Sequence, residues 1–309
     1  MKCVKFPTCR NQQIGLPILY GRRNKERIMS LKKLPQISAL SAMPKSLSFD
    51  MRPDAANRWD SGVKAKTETD NVITIYDQIG ESFWREGVTA KRVAAALRAI
   101  GDKEVIVNIN SPGGDYFEGI SIYNLLAQHP AKVTVQVVGL AASAASVIAM
   151  AGDEILMGDG SFLMIHNAWS LAIGNRHDLA SSIDTLSQID DAMADLYAAR
   201  SKLSKAEIVG MMDRESWIGK AKALEDGFAD GELDVKEIEQ SGDSEQKKAM
   251  ALIESSLAQQ GYSRAQRRDV FNNLFHGTPR AAEPAVKPCA GGDLKTAQAL
   301  QNLIQTMKG

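Results

Sequence analysis

Histidine, cysteine and aromatic side chains are all scarce in this chain. Of 309 residues, four are His and three are Cys, and aromatics make up 6%. The cysteines, Cys3, Cys9 and Cys289, lie near the two ends. No disulfide framework can therefore brace the middle of the chain, and no Cys/His cluster has zinc spacing. That usage fits a reducing compartment. No run of about eighteen apolar residues occurs, so no membrane span is expected. Charge of either sign is not in excess: 37 Lys and Arg balance 37 Asp and Glu. A zero net charge gives no global reason to expect nucleic-acid binding. The phosphate loop G-x-x-x-x-G-K-[ST] is missing, which excludes ATP hydrolysis by that route. What remains is a chain long enough for one good core with appendages. A His-dependent enzyme of this sequence has four choices: His129, His166, His177 and His276.

Residues 1–70 read as an irregular arm. Its opening is basic and almost free of acids, but it lacks the clean amphipathic pattern of a transit peptide and has no secretory apolar region. Met29 opens a second plausible start, which would make 1–28 an over-extended beginning. From 71 the texture changes. "NVITIYDQIG" alternates like a strand, "TAKRVAAALRAIG" has helical spacing with Gly101 just past its end, and "EVIVNIN" is a strand running into the turn "SPGGD". "FEGISIYNLLAQHP" is a helix stopped by Pro130, and "KVTVQVVG" is the next strand. Two short strands, "DEILMG" and "SFLMIH", precede a long helix over roughly 178–200. Ser204 with Glu207 and Ser263 with Gln266 have capping-box spacing. Strand–helix alternation of this kind implies a layered α/β fold with parallel strands. The domain expected is 71–236. Residues 237–309 read as a helical tail containing the linker "GTPRAAEPAVKPCAGGD".

Three places carry chemistry. "NINSPGGDYFEG" puts a Ser-Pro-Gly-Gly turn between a strand and a helix. Such glycines allow positive φ and close approach of a ligand to backbone N–H groups, which can hold a developing oxyanion. Taken alone, a Gly-Gly turn is more often only a turn. "VVGLAASAASVIAMAG" turns from strand to helix at Ser143, beside the Ala144 amide and among alanines that leave room for a substrate. The bland role for Ser143 is a helix N-cap, and Ser146, one turn further in, reads as packing. "FLMIHNAW" ends a strand with His166, a position where a lone His is usually structural. The acids Asp213 and Glu215 of "MMDRESWIG" are candidates to orient a histidine, or are simply solvated loop charges.

Taken together, "INSPGG", "GLAAS", "MIH" and "ESWIGKAKALEDGFAD", in this order over about 71–235, resemble the proteolytic subunit of the Clp protease. "NRWDSGVKA", "VTAKRVAAALRAIG" and "GNRHDLA" look like the ClpP-like head maturation proteases of tailed phages. The resemblance implies the ClpP/crotonase-type spiral of ββα units and a serine peptidase. Carried over, Ser143 is the nucleophile, His166 the general base, and the amides of Gly114 and Ala144 the oxyanion hole. The third triad position falls on Glu215, counting back from Gly227, with Asp213 the alternative. Ala144 stands where the family has Met, and "HNAW" replaces its His-Gln-Pro. The resemblance further implies a homo-oligomeric ring with no cofactor or metal. It implies polypeptide substrates such as scaffold or coat protein, capsid or portal partners, and a place in the bacterial host cytoplasm with the procapsid. Neither nucleic acid nor membrane is an expected partner. Two alternatives stand beside this reading. One is a crotonase-fold acyl-CoA enzyme, for which His166 would lie far from Ser143. The other is a non-catalytic capsid component with a degenerate protease fold.

Overall fold

The computed structural model describes residues 47, 49–61, 63–65, 70–82, 87–234, 238–240 and 244–275. The three cysteines, His276, the possible start at Met29 and the linker of the tail lie outside these. The chain divides into two compact units, Met1–Arg267 and Arg268–Gly309.

The centre of the first unit is a seven-stranded sheet. Strands β2 (Val72–Ile75), β3 (Val105–Ser111), β4 (Val133–Ala142), β5 (Glu154–Met157) and β8 (Gly231–Glu232) lie side by side in that order, all parallel. Parallel neighbours need crossovers. Here these are α2 (Ala90–Ile100), α3 (Tyr116–Ala127) and α4 (Ala144–Ala149). Strand β3 is buried almost throughout, as a strand covered on both faces must be. Val107, Ile109, Val135 and Val137 are fully inaccessible.

Strand β4 changes partner along its length. Its first half pairs with β5 through Thr134–Val137, and its second half pairs with β6 (Phe162–Ile165) through Leu140–Ala142. Between them the register against β3 shifts: Ile109 faces Val137, but Ser111 faces Ala141. The irregularity bends the strand, as bulges do. Buried Asn110 pins it, donating to the Asp60 carbonyl at 2.6 Å and accepting from the Leu140 amide at 3.0 Å. A Cβ on Gly139 would stand 2.8 Å from the Asn110 Oδ1, so this position needs glycine for the approach. The bend turns the end of β4, and with it Ser143, from β5 toward β6.

One strand of the sheet runs against the rest. β7 (Ser216–Gly219) pairs antiparallel with β6, Ile165 facing Ser216. The sequence pattern did not mark it, because only Ile218 of its four residues is buried. After β6 come α5 (Arg176–Arg200), α6 (Lys205–Asp213) and α7 (Lys220–Asp226). Ser204 and Glu207 form the capping box expected of them, and Asn175 and Asp178 form a second.

Two short elements form within the N-terminal arm: α1 (Pro53–Arg58) and β1 (Val63–Ala65). Pro53 begins α1, where its missing N–H has no intrahelical partner to lose. Ala55, Ala56 and Trp59 are buried in one apolar cluster with Leu140, Met164 and Ala251. The Trp59 indole donates to the Asn110 carbonyl at 3.0 Å, placing this helix against the β4 bend. β1 pairs antiparallel with β9 (Ile238–Gln240). Two helices come next, α8 (Ser244–Gln259) and α9 (Arg264–Phe275). Ser263 and Gln266 exchange hydrogen bonds at the start of α9, as their spacing predicts.

Candidate active site

The end of β4 turns into α4 through one residue in an unusual conformation. Ser143 has φ 55° and ψ −123°. Among the described residues, the non-glycine residues with positive φ are Ser143 and Glu215, at φ 55° and 50°. Such conformations persist only where surrounding structure enforces them, and they gather at functional sites. For Ser143 the enforcement is visible. Its amide donates to the Met164 carbonyl at 2.9 Å, and its own carbonyl accepts from the amides of Ser146 and Val147. Although Ser143 sits at the N-cap position, its side chain caps nothing. Its Oγ lies 2.7 Å from His166 Nε2 instead.

His166 follows β6 directly, so the β4–β6 pairing brings the two side chains together across 23 residues. His166 is buried, at 6% exposure. Burial lowers its pKa to about 4, with the positive charge of Arg52 adding to the effect and Asp54 opposing it. The imidazole is therefore neutral at neutral pH. With its proton on Nδ1, Nε2 is free to accept from the Ser143 hydroxyl.

Gly114 and Ala144 line the same small cavity as Ser143 and His166. The "SPGG" turn reaches that place by tight backbone contact. The Ile79 amide donates to the Gly113 carbonyl at 2.9 Å, and the Asp115 amide donates to the Ile79 carbonyl at 3.0 Å. Gly113, at φ 87°, runs so close to the elbow that a Cβ there would stand 2.8 Å from the Ser143 Cβ. Asp115 then caps α3 through the amides of Phe117 and Glu118.

Ser146 is wholly buried and does more than pack. Its Oγ lies within hydrogen-bond distance of the carbonyls of Ser143 and Met164 and of the Tyr197 hydroxyl. One hydroxyl has one proton to give. Tyr197 therefore supplies a second donor, and the group ties the elbow to α5.

The two acids near β7 do not touch His166 among the described residues. Glu215 forms an ion pair with Arg52 at 2.9 Å and accepts from the Trp217 indole at 3.2 Å. Asp213 accepts from the Asn167 side chain at 2.9 Å. A third acid, Asp190 on α5, accepts from the Ala168 amide at 2.6 Å and so holds the chain just past His166. Burial pushes the Asp190 pKa up to about 6; the Ala168 hydrogen bond opposes this and the charge of Asp213 adds to it. Sequence reasoning passed over Asp190 and Arg52. Asp190 left a signal, since it falls on the same helical face as Met193, Ala194 and Tyr197, which are buried. Arg52 left none, because nothing local links it to residues so far along the chain. Of the other histidines, His129 binds the Lys103 carbonyl at 2.8 Å near the end of α3, and His177 lies in the exposed first turn of α5.

The described residues contain no group of three or more His, Cys, Asp or Glu arranged to hold a metal ion. No helix among them is long and apolar enough to cross a membrane.

The chain was compared with known proteins. The chain is 28% identical over 144 residues to an ATP-dependent Clp protease proteolytic subunit of Deinococcus radiodurans, covering 46% of this chain and 71% of that one. It is 32% identical over 136 residues to the corresponding subunit of Leuconostoc citreum, covering 42% and 68%. Among solved structures it is similar to a mutant ClpP1 from Listeria monocytogenes, with TM-score 0.44 and 20% identity, covering 53% of this chain and 92% of that one. The family model for Clp protease matches residues 58–235, more than half of the chain. The chain belongs to the Clp protease family.

Proposed function

We propose that this protein is a serine endopeptidase in which Ser143 is the nucleophile and His166 the general base. The observation that carries the reading is the 2.7 Å contact between Ser143 Oγ and His166 Nε2 at a strained elbow beside Gly114 and Ala144. Ser143 Oγ attacks the peptide carbonyl carbon while Nε2 takes the hydroxyl proton. The amides of Gly114 and Ala144 stabilise the oxyanion of the tetrahedral intermediate. The imidazolium returns its proton to the leaving amine, and water then hydrolyses the acyl-enzyme with His166 again as base. No metal or cofactor takes part. The crotonase-type alternative needs a His166 remote from Ser143, and 2.7 Å argues against it. The direct test is incubation with an unfolded polypeptide or with a fluorophosphonate, followed by mass spectrometry for the acyl or the phosphonyl adduct. An adduct on Ser143 is expected. Cleavage with the adduct elsewhere would end the assignment, and neither cleavage nor adduct would favour a non-catalytic capsid component.

Glu215 is the proposed third member, with Asp213 the alternative. The strained φ of Glu215 supports it, as does the resemblance of its segment to the family's. Its carboxylate is held by Arg52 and the Trp217 indole. Glu215→Gln is expected to slow acylation more than Asp213→Asn in pre-steady-state kinetics. A larger effect at Asp213 would reverse the assignment, and equal small effects would mean a Ser–His dyad.

The finer setting proposed is capsid maturation, with scaffold or coat segments as substrates in the host cytoplasm. It is supported by the likeness of "NRWDSGVKA" and "GNRHDLA" to head maturation proteases. Lacking a phosphate loop, the chain would borrow an unfoldase or act on exposed segments, whose confinement in a procapsid raises effective concentration. The proposed assembly is a closed ring. The apolar stripe of α5 divides: Ile189, Met193 and Leu196 are buried in their own domain, while Leu179 and Ile183 are 42% and 66% exposed. Those two offer a surface to a neighbouring copy. Sedimentation at micromolar concentration is expected to show a ring; an active monomer would defeat this.

A further inference from the structure

We propose that Phe49–Arg52 is an intramolecular cap that closes the substrate groove over Ser143, latched by Arg267 of α9. The proposal rests on the serine-peptidase reading of the same site. Phe49 and Asp50 line the cavity that also exposes Ser143, His166, Gly114 and Ala144, and what they leave is a space of about 20 Å³. That is room for about one water molecule. A peptide must lie with its carbonyl carbon within about 3–3.5 Å of the nucleophile, and it cannot enter while these residues remain.

Each residue of the cap is held by a different part of the molecule. The Phe49 ring meets Phe117 of α3 edge-on at 5.4 Å. Asp50 accepts two hydrogen bonds from the Arg267 guanidinium, both at 3.0 Å, with both side chains almost wholly buried. Glu254 of α8 stands 4.0 Å from the same guanidinium and accepts from Ser82 at 2.7 Å. Met51 is buried among Ala142 and Met164, which flank the Ser143 elbow, and Ala251 of α8. Arg52 pairs with Glu215 at 2.9 Å and Asp54 at 2.7 Å. Phe49 and Asp50 of this stretch therefore occupy the groove, while Arg52 holds Glu215 on a cation.

The latch explains how such a cap can be both specific and reversible. A buried ion pair adds little net stability but penalises any arrangement that leaves one charge alone. Asp50 and Arg267, 217 positions apart, can therefore move out together more easily than either can be left behind. Access to Ser143 then depends on where α8 and the start of α9 sit, which places control of the site in elements that follow the protease domain in the chain.

The test uses the full-length protein, a small fluorophosphonate and a longer peptidyl phosphonate. In Phe49→Ala/Arg52→Ala, peptidyl labelling of Ser143 is expected to accelerate at least about tenfold over the parent, with circular dichroism reporting the fold. Equal rates in a folded variant overturn the cap and leave the peptidase reading intact. No labelling of Ser143 by either probe in either protein sinks the peptidase reading and the cap with it. Should the variant misfold, hydrogen exchange on the parent decides. Amides of Phe49–Arg52 are expected to lose protection once the peptidyl phosphonate occupies Ser143. Unchanged protection in the labelled protein would make the segment a fixed wall of the groove and end the proposal.

Discussion

Ser143→Ala is expected to reduce peptide hydrolysis at least about a thousandfold, leaving only what the oxyanion donors and binding contribute. The expectation follows from where the Oγ is spent. It makes no cap on α4 and no bond to the backbone, only the 2.7 Å contact to His166. Removing it therefore leaves no buried backbone group unpartnered, and the melting temperature should stay close to the parent's. Ser146→Ala is the informative comparison. Its hydroxyl is fully buried and shared with Tyr197 and two carbonyls. Leaving those partners unsatisfied is expected to cost about 1–3 kcal/mol of stability, while the acyl-enzyme still forms. Turnover of Ser143→Ala within tenfold of the parent would sink the mechanism.

Gly114→Ala should be the next most damaging change. Gly114 has φ 146°, and a Cβ there would stand 2.2 Å from the Ile79 carbonyl oxygen and 3.0 Å from its amide nitrogen. Neither can yield easily, because Ile79 also bonds Gly113 and Asp115 on either side. The turn must shift, and the amide proposed to hold the oxyanion shifts with it. Loss of one oxyanion donor costs roughly 10²–10³ in kcat, so kcat is expected to fall by that much with KM little changed. Gly160→Ala is the matched control: φ is 71°, and nothing lies within 4 Å of the added carbon. A kcat for Gly114→Ala within threefold of that control would remove Gly114 from the oxyanion hole.

The candidate residues of this site share one property: immediate neighbours place each at a strand end or tight turn, while the role proposed for each comes from the resemblance of the ordered motifs. A strand that ends in small residues before a helix marks Ser143. A strand that ends in His marks His166, and a Gly-Gly turn between strand and helix marks Gly114. The alternation of period-2 and period-3.6 segments announced the parallel sheet in the same way. β7 escaped because four residues with one buried side chain carry no period. The role of Ser146 was underestimated, since its third partner, Tyr197, lies 51 residues away on another element.

Local pattern thus determined which residues stand at the ends of strands and in the tight turns. Backbone periodicity and turn chemistry are set by a few adjacent side chains. The tertiary structure alone decided which of those ends meet. The bend of β4 against β3 and its change of partner from β5 to β6 bring Ser143 to His166. The tertiary structure also sets Arg52 on Glu215, and Asp50 on Arg267 of α9 across 217 positions. No local propensity encodes such pairs. The buried pair, Asp50 with Arg267, exists because buried charges must find partners wherever the packed layers place them.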